Sequence, residues 1–462
     1  MDKQFSLHNK KTTPFYSPFA ESKTVQRLIE LFVVLMIVAY AFEAFWRPER
    51  FWQIATGAIG ICVLIFSIIT GKLFRYIEVK LFLLFLLIAW ISSIFNFGVK
   101  ASYFVTRFHC FWMVFLALYM VLYIAPEPSH VMHVFACTTA ICFSVVCAFV
   151  TVHATRSLLS ETPELRTVLG CFRTERLCGL GNENILGFMC ASLLLISVYG
   201  FLVTKKHIRI LYLFSAALGW FTLGLAGSRT SMVGVGSAIG LTICSSIFLK
   251  IGVRKNWHTA LRLIVALAVG VFCGAVLLVS FNLPKMIFWG IIQGLHLVTH
   301  IPNTSQDSSS ASSYTISTST NSMSIRVSIW VKCIKDSFSS VRRALFGISP
   351  LSTEGMTGFI DGQPERTQPH AHNVYLDTIR RFGLLGLAPW IGQIIIWIRH
   401  GADILFKGKY DTSDRFLISC VIGFLFMGFT EVVPFSDITG SYIAIPFFII
   451  IGYCMRKVRE KV

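Results

Sequence analysis

Two imidazoles, an amide and a carboxylate crowd into one short polar stretch, Pro369-His370-Ala371-His372-Asn373-Val374-Tyr375-Leu376-Asp377. A neutral imidazole can take a proton near pH 7, so His370 or His372 could act as a general base on a hydroxyl. The same residues also read as ordinary loop histidines beside Asn373, an amide well suited to cap a short helix. A second unusual group lies upstream. From Ile208 to Leu249 the chain is almost continuously apolar, broken only by Gly227-Ser228-Arg229-Thr230-Ser231. A hairpin this tight places Arg229 at a membrane surface, where the free N–H groups of the next helix could help it hold an anion. An arginine at that depth is costly and usually has a partner. Snorkelling onto a lipid phosphate is the alternative use of the same side chain.

The elements that must carry these residues are membrane spans. Of 462 residues 55% are hydrophobic and only 14% charged, and apolar runs of about 20 residues, the length that crosses a hydrocarbon core, recur along the sequence. Such runs fall near 28–46, 51–70, 80–98, 104–125, 129–154, 184–203, 208–227, 230–249 and 259–281, and again near 384–398, 416–433 and 440–455. The fold class expected is an all-α polytopic membrane protein with about twelve transmembrane helices and a large helical extracytoplasmic loop between spans 9 and 10. Residues 1–24 form a cytoplasmic tail, 25–281 spans 1–9, 282–383 the extracytoplasmic loop, 384–455 spans 10–12 and 456–462 a second cytoplasmic tail. Ala39-Tyr40-Ala41 has the form of a signal-peptidase site but sits inside an apolar run, so a retained first span is expected. In this arrangement more than half of the Lys and Arg lie inside, and the short outer connections carry only Arg47, Arg50, Lys100, Arg107 and Arg229, as the positive-inside rule requires.

The net charge of +18 therefore has a membrane explanation, and no nucleic-acid partner is expected. A basic surplus on the outer side asks instead for an anionic ligand or lipid headgroups. The 13 cysteines mostly lie in apolar runs, as Cys137, Cys142 and Cys147 do, and act there as small hydrophobes. Cys171 and Cys178 fall in an outer loop, where a disulfide is open to them. No spacing suggests a zinc site.

Two outer loops are long enough to hold a site. The first, 155–183, holds Arg156, Arg166, Arg173 and Arg176. The second opens with an interfacial helix over Met286 to Val298, then a Ser/Thr-rich tract from Thr304 to Ser324 that reads as a flexible linker or lid. An amphipathic helix follows, its apolar face made by Val327, Trp330, Val331, Ile334 and Phe338, with Arg326 at its beginning. Phe346-Gly347-Ile348-Ser349-Pro350 turns the chain. After the histidine stretch, Leu376, Ile379 and Phe382 predict a short helix closed by Arg380, Arg381 and Gly383.

Four features occur together and in order: Gly181-Asn182-Glu183-Asn184-Ile185-Leu186-Gly187 opening a span, Ser228-Arg229-Thr230 between two spans, Arg326 ahead of Trp330 with Phe346-Gly347 downstream, and His372-Asn373 ahead of Leu376 with Gly383 and Gly386. In this combination, over residues 176 to 390, the chain resembles the O-antigen ligase and O-antigen polymerase superfamily of bacterial envelope glycosyltransferases. The resemblance implies a GT-C type enzyme of the bacterial inner membrane with an extracytoplasmic site. Its donor would be a glycan on undecaprenyl pyrophosphate; its acceptor would be the lipid A core in a ligase or another lipid-linked glycan in a polymerase. Carried over by position, Arg229 and Arg326 would bind the pyrophosphate and His372 would be the base, with Arg176, Asn184, His370 and Asn373 as further binding candidates. Such enzymes use no nucleotide sugar and, in the ligases, no metal or other cofactor. His370 and the long Ser/Thr tract depart from the pattern, so His370 stands as the alternative base.

A twelve-span transporter is the main rival class. Its site would lie near the midplane between internal repeats, yet few charges lie in mid-span here, and Glu43 and Glu431 both fall near span ends. A lipid-linked glycan flippase would spread basic residues along a central path rather than collect them on one face.

Overall fold

The computed structural model describes residues 22–42, 45, 49–96, 104–159, 168–173, 175–205, 207–254, 258–299, 320–350, 356–360, 363–368, 370–433 and 441–460. Arg47, Lys100, Arg166, most of the Ser/Thr tract and Pro369 lie outside them. The chain is an all-α polytopic membrane protein. Its helices are α1 (Lys23–Phe42), α2 (Glu49–Ile69), α3 (Ile77–Phe95), α4 (Phe104–Ile124), α5 (Pro128–Leu159), α6 (Glu183–Val203), α7 (Ile208–Ala226), α8 (Arg229–Arg254), α9 (Thr259–Ser280), α10 (Asn282–Thr299), α11 (Thr320–Ser337), α12 (Val341–Phe346), α13 (Val374–Phe406), α14 (Thr412–Met427) and α15 (Ser441–Glu460). Two small antiparallel hairpins accompany them. The first pairs β1 (Cys171–Arg173) with β2 (Arg176–Cys178), and the second pairs β3 (Met356–Ile360) with β4 (Gln363–Gln368). In the first hairpin Cys171 stands opposite Cys178, and both are buried.

Every apolar run expected to span has a helix in the described residues. Among the described residues eight helices are long and apolar enough to cross a membrane, and the shorter apolar stretches Ala55–Ile69 and Trp112–Ile124 accompany them. Glycine lets the helices pack closely. On α8 and α9, a Cβ at Gly240 would stand 2.7 Å from the Gly270 carbonyl oxygen, and one at Gly270 would stand 2.6 Å from that of Gly240. Small residues at four-residue spacing, Gly236 and Gly240 against Gly270 and Gly274, let the two backbones touch. The same close approach joins α14 to α8, where Gly423 meets the Gly234 carbonyl.

The far end of the bundle is locked by a buried charge. Glu78, 1% exposed at the start of α3, accepts hydrogen bonds from Arg459 Nη2 at 2.7 and 2.9 Å and from the Tyr123 hydroxyl at 3.0 Å. A carboxylate so deep requires such partners, and they tie α3, α4 and α15 together. At the other end of α3, Ser92 and Asn96 donate to the carbonyls of Phe346 and Gly347. The helix thus runs from the Glu78 lock to the layer formed by α11, α12 and the start of α13.

Two expectations change. The apolar run 416–433 is helical only as far as Met427; residues 428–433 form turns. There the Val374 N–H donates to the carbonyls of Gly428 (2.8 Å) and Glu431 (3.1 Å), so the start of α13 pins a segment that would otherwise continue the span. The second change concerns α11. The helix exists, but Val327, Val331, Ile334 and Phe338 are exposed at 46, 48, 46 and 53%, while Ile329 and Cys333 are 1% exposed. The packed side is narrow and small, held by the Trp330 indole N–H on the Ala371 carbonyl (2.9 Å) and the Cys333 thiol on the Leu376 carbonyl (3.4 Å). The larger apolar stripe points outward.

Candidate functional site

One end of the bundle gathers the start of α6, the α7–α8 turn, α11, the loop before α13 and the turn after α14. The centre of this assembly is Glu431, 5% exposed. Its Oε1 accepts from Arg326 Nη2 at 2.9 Å and from Asn184 Nδ2 at 3.2 Å. Its Oε2 lies 3.1 Å from His372 Nδ1. A carboxylate only accepts, so Nδ1 carries the hydrogen and donates it. The other ring nitrogen, Nε2, is thereby left with its lone pair whenever the ring is neutral.

His372 is placed by local chemistry. It adopts φ +47°, a left-handed conformation uncommon outside glycine although histidine is among the residues that tolerate it. Its own N–H approaches His370 Nδ1 at 3.4 Å, and the two rings meet edge to face at 4.3 Å. Asn373 follows as the N-cap of α13, its Oδ1 accepting from the Tyr375 and Leu376 N–H groups at 3.0 and 3.1 Å while its Nδ2 donates to the Phe429 carbonyl. That is the capping role its type suggested. Asp377, one turn later, accepts from the Ala371 N–H (3.2 Å) and from Arg381 Nε (2.7 Å). The loop is therefore held from both ends.

The α7–α8 turn is fixed by Arg176. This side chain donates to the carbonyls of Ala226 and Gly227, each at 3.0 Å, and to Glu183 Oε1 at 3.0 Å. Gly227 itself is left-handed at φ +61°. Ser228 Oγ donates to Asn184 Oδ1 (3.4 Å), and the Thr230 and Thr430 hydroxyls are 2.9 Å apart. Arg229 stands between them as an exposed residue opening α8. A side chain on Gly187 would strike Ser228, so the glycine that closes the 181–187 motif exists to let α6 approach this turn.

The structure thus joins Arg326, His372 and Asn184 through one carboxylate, with His370 and Asn373 beside the imidazole. Arg229 occupies a turn bonded to that network on both of its flanks. Arg176 is turned into the backbone beneath Arg229. Glu431 had no signal in the sequence beyond its place near a span end, because nothing in the local pattern announces that α14 stops short and returns a carboxylate 59 positions downstream of its histidine.

Buried on the packed side of α11, Cys333 has its thiol pushed up to about 12 by desolvation, so it stays a neutral thiol that packs. Among the described residues no group of three or more His, Cys, Asp or Glu could hold a metal ion.

No curated protein matches the chain. The family described as O-antigen ligase matches residues 214–391, a stretch that includes Arg229, Arg326, His370, His372 and Asn373, whereas Asn184, Arg176 and Glu431 lie outside it and are brought in by the fold. Over that stretch, under half of its length, this multi-pass membrane protein is similar to the O-antigen ligase family.

Proposed function

We propose that this protein is an O-antigen ligase-like glycosyltransferase. It would move a glycan from undecaprenyl pyrophosphate to a sugar hydroxyl of the lipid A core, on the outer face of the inner membrane. The observation that carries the reading is the shared carboxylate, since Glu431 contacts both the imidazole and Arg326. This supports His372 as the base. Its Nε2 takes the proton of the acceptor hydroxyl as that oxygen bonds to the anomeric carbon of the donor sugar. The bond from that carbon to the pyrophosphate oxygen breaks, and the lipid pyrophosphate leaves with the electron pair. Glu431 holds the ring by Nδ1 and stabilises the imidazolium that forms.

Negative charge grows on phosphate oxygens in the same step. Guanidinium groups meet such oxygens bidentately and are charged at every relevant pH. Arg326 spends one of its five donors on Glu431 and has others to offer; Arg229, on the exposed start of α8, would supply the second fork. A preorganised contact of this kind is worth about 3–4 kcal/mol in the barrier. The isoprenoid would lie among the spans, which puts the pyrophosphate at headgroup depth, beside the turn that bears Arg229.

Ligase and repeat-unit polymerase share this donor chemistry and differ in the acceptor. Deleting the gene and inspecting the glycan tests the reading. Full-length polymer stranded on its lipid carrier is the result expected. Stranded single repeats would assign polymerase activity instead, and an unchanged surface glycan would overturn both.

A further inference from the structure

Among the described residues the outward stripe of α11 stays about half exposed, and its surroundings say what covers it. Val327, Val331, Ile334 and Phe338 recur at helical spacing with 46 to 53% exposure, and Val341 (77%) and Leu345 (37%) continue the apolar surface onto α12. At 3.6 residues per turn this stripe stands about 150° round the helix from the face that packs Ile329 and Cys333, almost opposite it. A contiguous apolar surface of this kind on a protein marks a contact with another apolar phase.

α12 sits directly on the end of α3. Phe346 stacks on Phe95 at 4.7 Å, Arg342 Nη1 donates to the Phe95 carbonyl at 3.4 Å, and Asn96 donates to the Gly347 carbonyl at 3.4 Å. α3 is a membrane span, and its last turns expose Trp90 (53%), Ile94 (69%) and Phe95 (54%) to lipid. The apolar surface of α12 and α11 is therefore continuous with a lipid-facing one, at the level where α3 leaves the hydrocarbon. Lys335 and Arg342 are exposed along it, with Lys332 and Arg343 half-buried nearby. Cations flanking an apolar stripe complement anionic phosphates at the headgroup layer.

We propose that α11 and α12 lie in the bilayer interface at which α3 ends, the stripe dipped among acyl chains and Lys335 and Arg342 at phosphate level. The docking needs no transfer chemistry. Its consequence does rest on the function proposed above: α11 carries Arg326 on a different side, so a helix anchored in the interface holds that guanidinium at the depth of a lipid-borne pyrophosphate.

The test uses the full chain in nanodiscs of phosphatidylethanolamine and phosphatidylglycerol, with a fraction of phosphatidylglycerol bearing a photoactivatable diazirine in its acyl chain. After irradiation, label is mapped on proteolytic fragments. Label on both α3 and the 327–345 segment is the result expected. Its loss from 327–345, but not from α3, should follow the double substitution Val331→Asp, Ile334→Asp. Label on α3 alone in the unsubstituted protein overturns the docking, as does a cross-link joining α11 of two copies, which would make the stripe a dimer surface. Glycan transfer measured in the same discs separates the two proposals: transfer without label on the stripe leaves the enzymatic reading standing, and label without transfer leaves only the docking.

Discussion

His372 Nδ1 and Glu431 Oε2 lie 3.1 Å apart, and the other oxygen of the same carboxylate takes the Arg326 guanidinium at 2.9 Å. One buried acid therefore holds both the imidazole and the guanidinium; in the proposed reaction it would orient the base and position a cation for the leaving group. Glu431→Gln preserves the shape but removes the charge that favours the Nδ1–H tautomer and the imidazolium. It should lower kcat by about 10²- to 10⁴-fold with little change in KM. His372→Ala should cost a similar factor, and the double variant should cost no more than the worse single one, because groups that act as a unit are not additive. Steady-state transfer in proteoliposomes with a lipid-linked donor checks all three. An additive double variant would separate Glu431 from the base.

Removing the cation has a different signature. In Arg326→Ala the carboxylate loses its closest charged donor while remaining almost entirely buried. The protein should lose about 1.5–3 kcal/mol of stability, the range for a hydrogen bond to a charged group. Transfer should fall as well. Arg326→Ala combined with Glu431→Gln should recover much of the stability and none of the transfer. Thermal melting in detergent beside the transfer assay separates the two effects. If the double variant is as unstable as the single, the pair is not what holds α11 in place.

Much of this arrangement could be read from the chain, and the reasons for the rest are physical. Spans are legible because an apolar run of about 20 residues has few other uses. Asn373 as a cap and Gly227 as a turn are legible because their chemistry is local. Glu431 was not, since its meaning depends on where α14 stops, and that is settled by hydrogen bonds from Val374, far away in sequence. Nor was the outward face of α11: periodicity tells which residues share a side, but both a protein core and a lipid interface accept that side. The resemblance made Arg176 a binding candidate; its bonds to the carbonyls of Ala226 and Gly227 and to Glu183 depend on parts of the chain that only the fold brings together.

The placement of Arg229 gives a sharper test of type than of charge. Arg229→Lys keeps the positive charge at the start of α8 but replaces a planar fork with a point donor. If the residue grips a pyrophosphate, this change should remove most of the transfer, nearly as much as Arg229→Ala, with the protein still inserted and folded. A lipid-phosphate anchor would accept lysine readily. Activity near that of the unsubstituted protein in Arg229→Lys, alongside a dead Arg229→Ala, would assign the residue to the headgroup layer.

Gly347 and Gly383 are bound to one another's neighbourhoods. Their backbones sit at φ +70°, ψ −165° and φ +67°, ψ −171°, a region that side chains essentially never enter and that costs about 1–3 kcal/mol when forced. Each also has the other strand of the crossing where a Cβ would go: the Arg380 and Arg381 carbonyls against Gly347, and the Leu345 carbonyl against Gly383. The crossing is closed by the Ile348 N–H on the Arg380 carbonyl at 2.9 Å and the Ser349 N–H on the Arg381 carbonyl at 3.2 Å. It fixes α12 to the break in α13, so it sets the height of α11 against the histidine loop. Gly383→Ala and Gly347→Ala should therefore each lower Tm and reduce transfer, by strain and clash together. Gly290→Ala, in open space on α10, should change neither. Melting curves for the three variants decide it: if Gly383→Ala melts where Gly290→Ala does, the crossing is not rigid, and α11 needs some other support to keep Arg326 on Glu431.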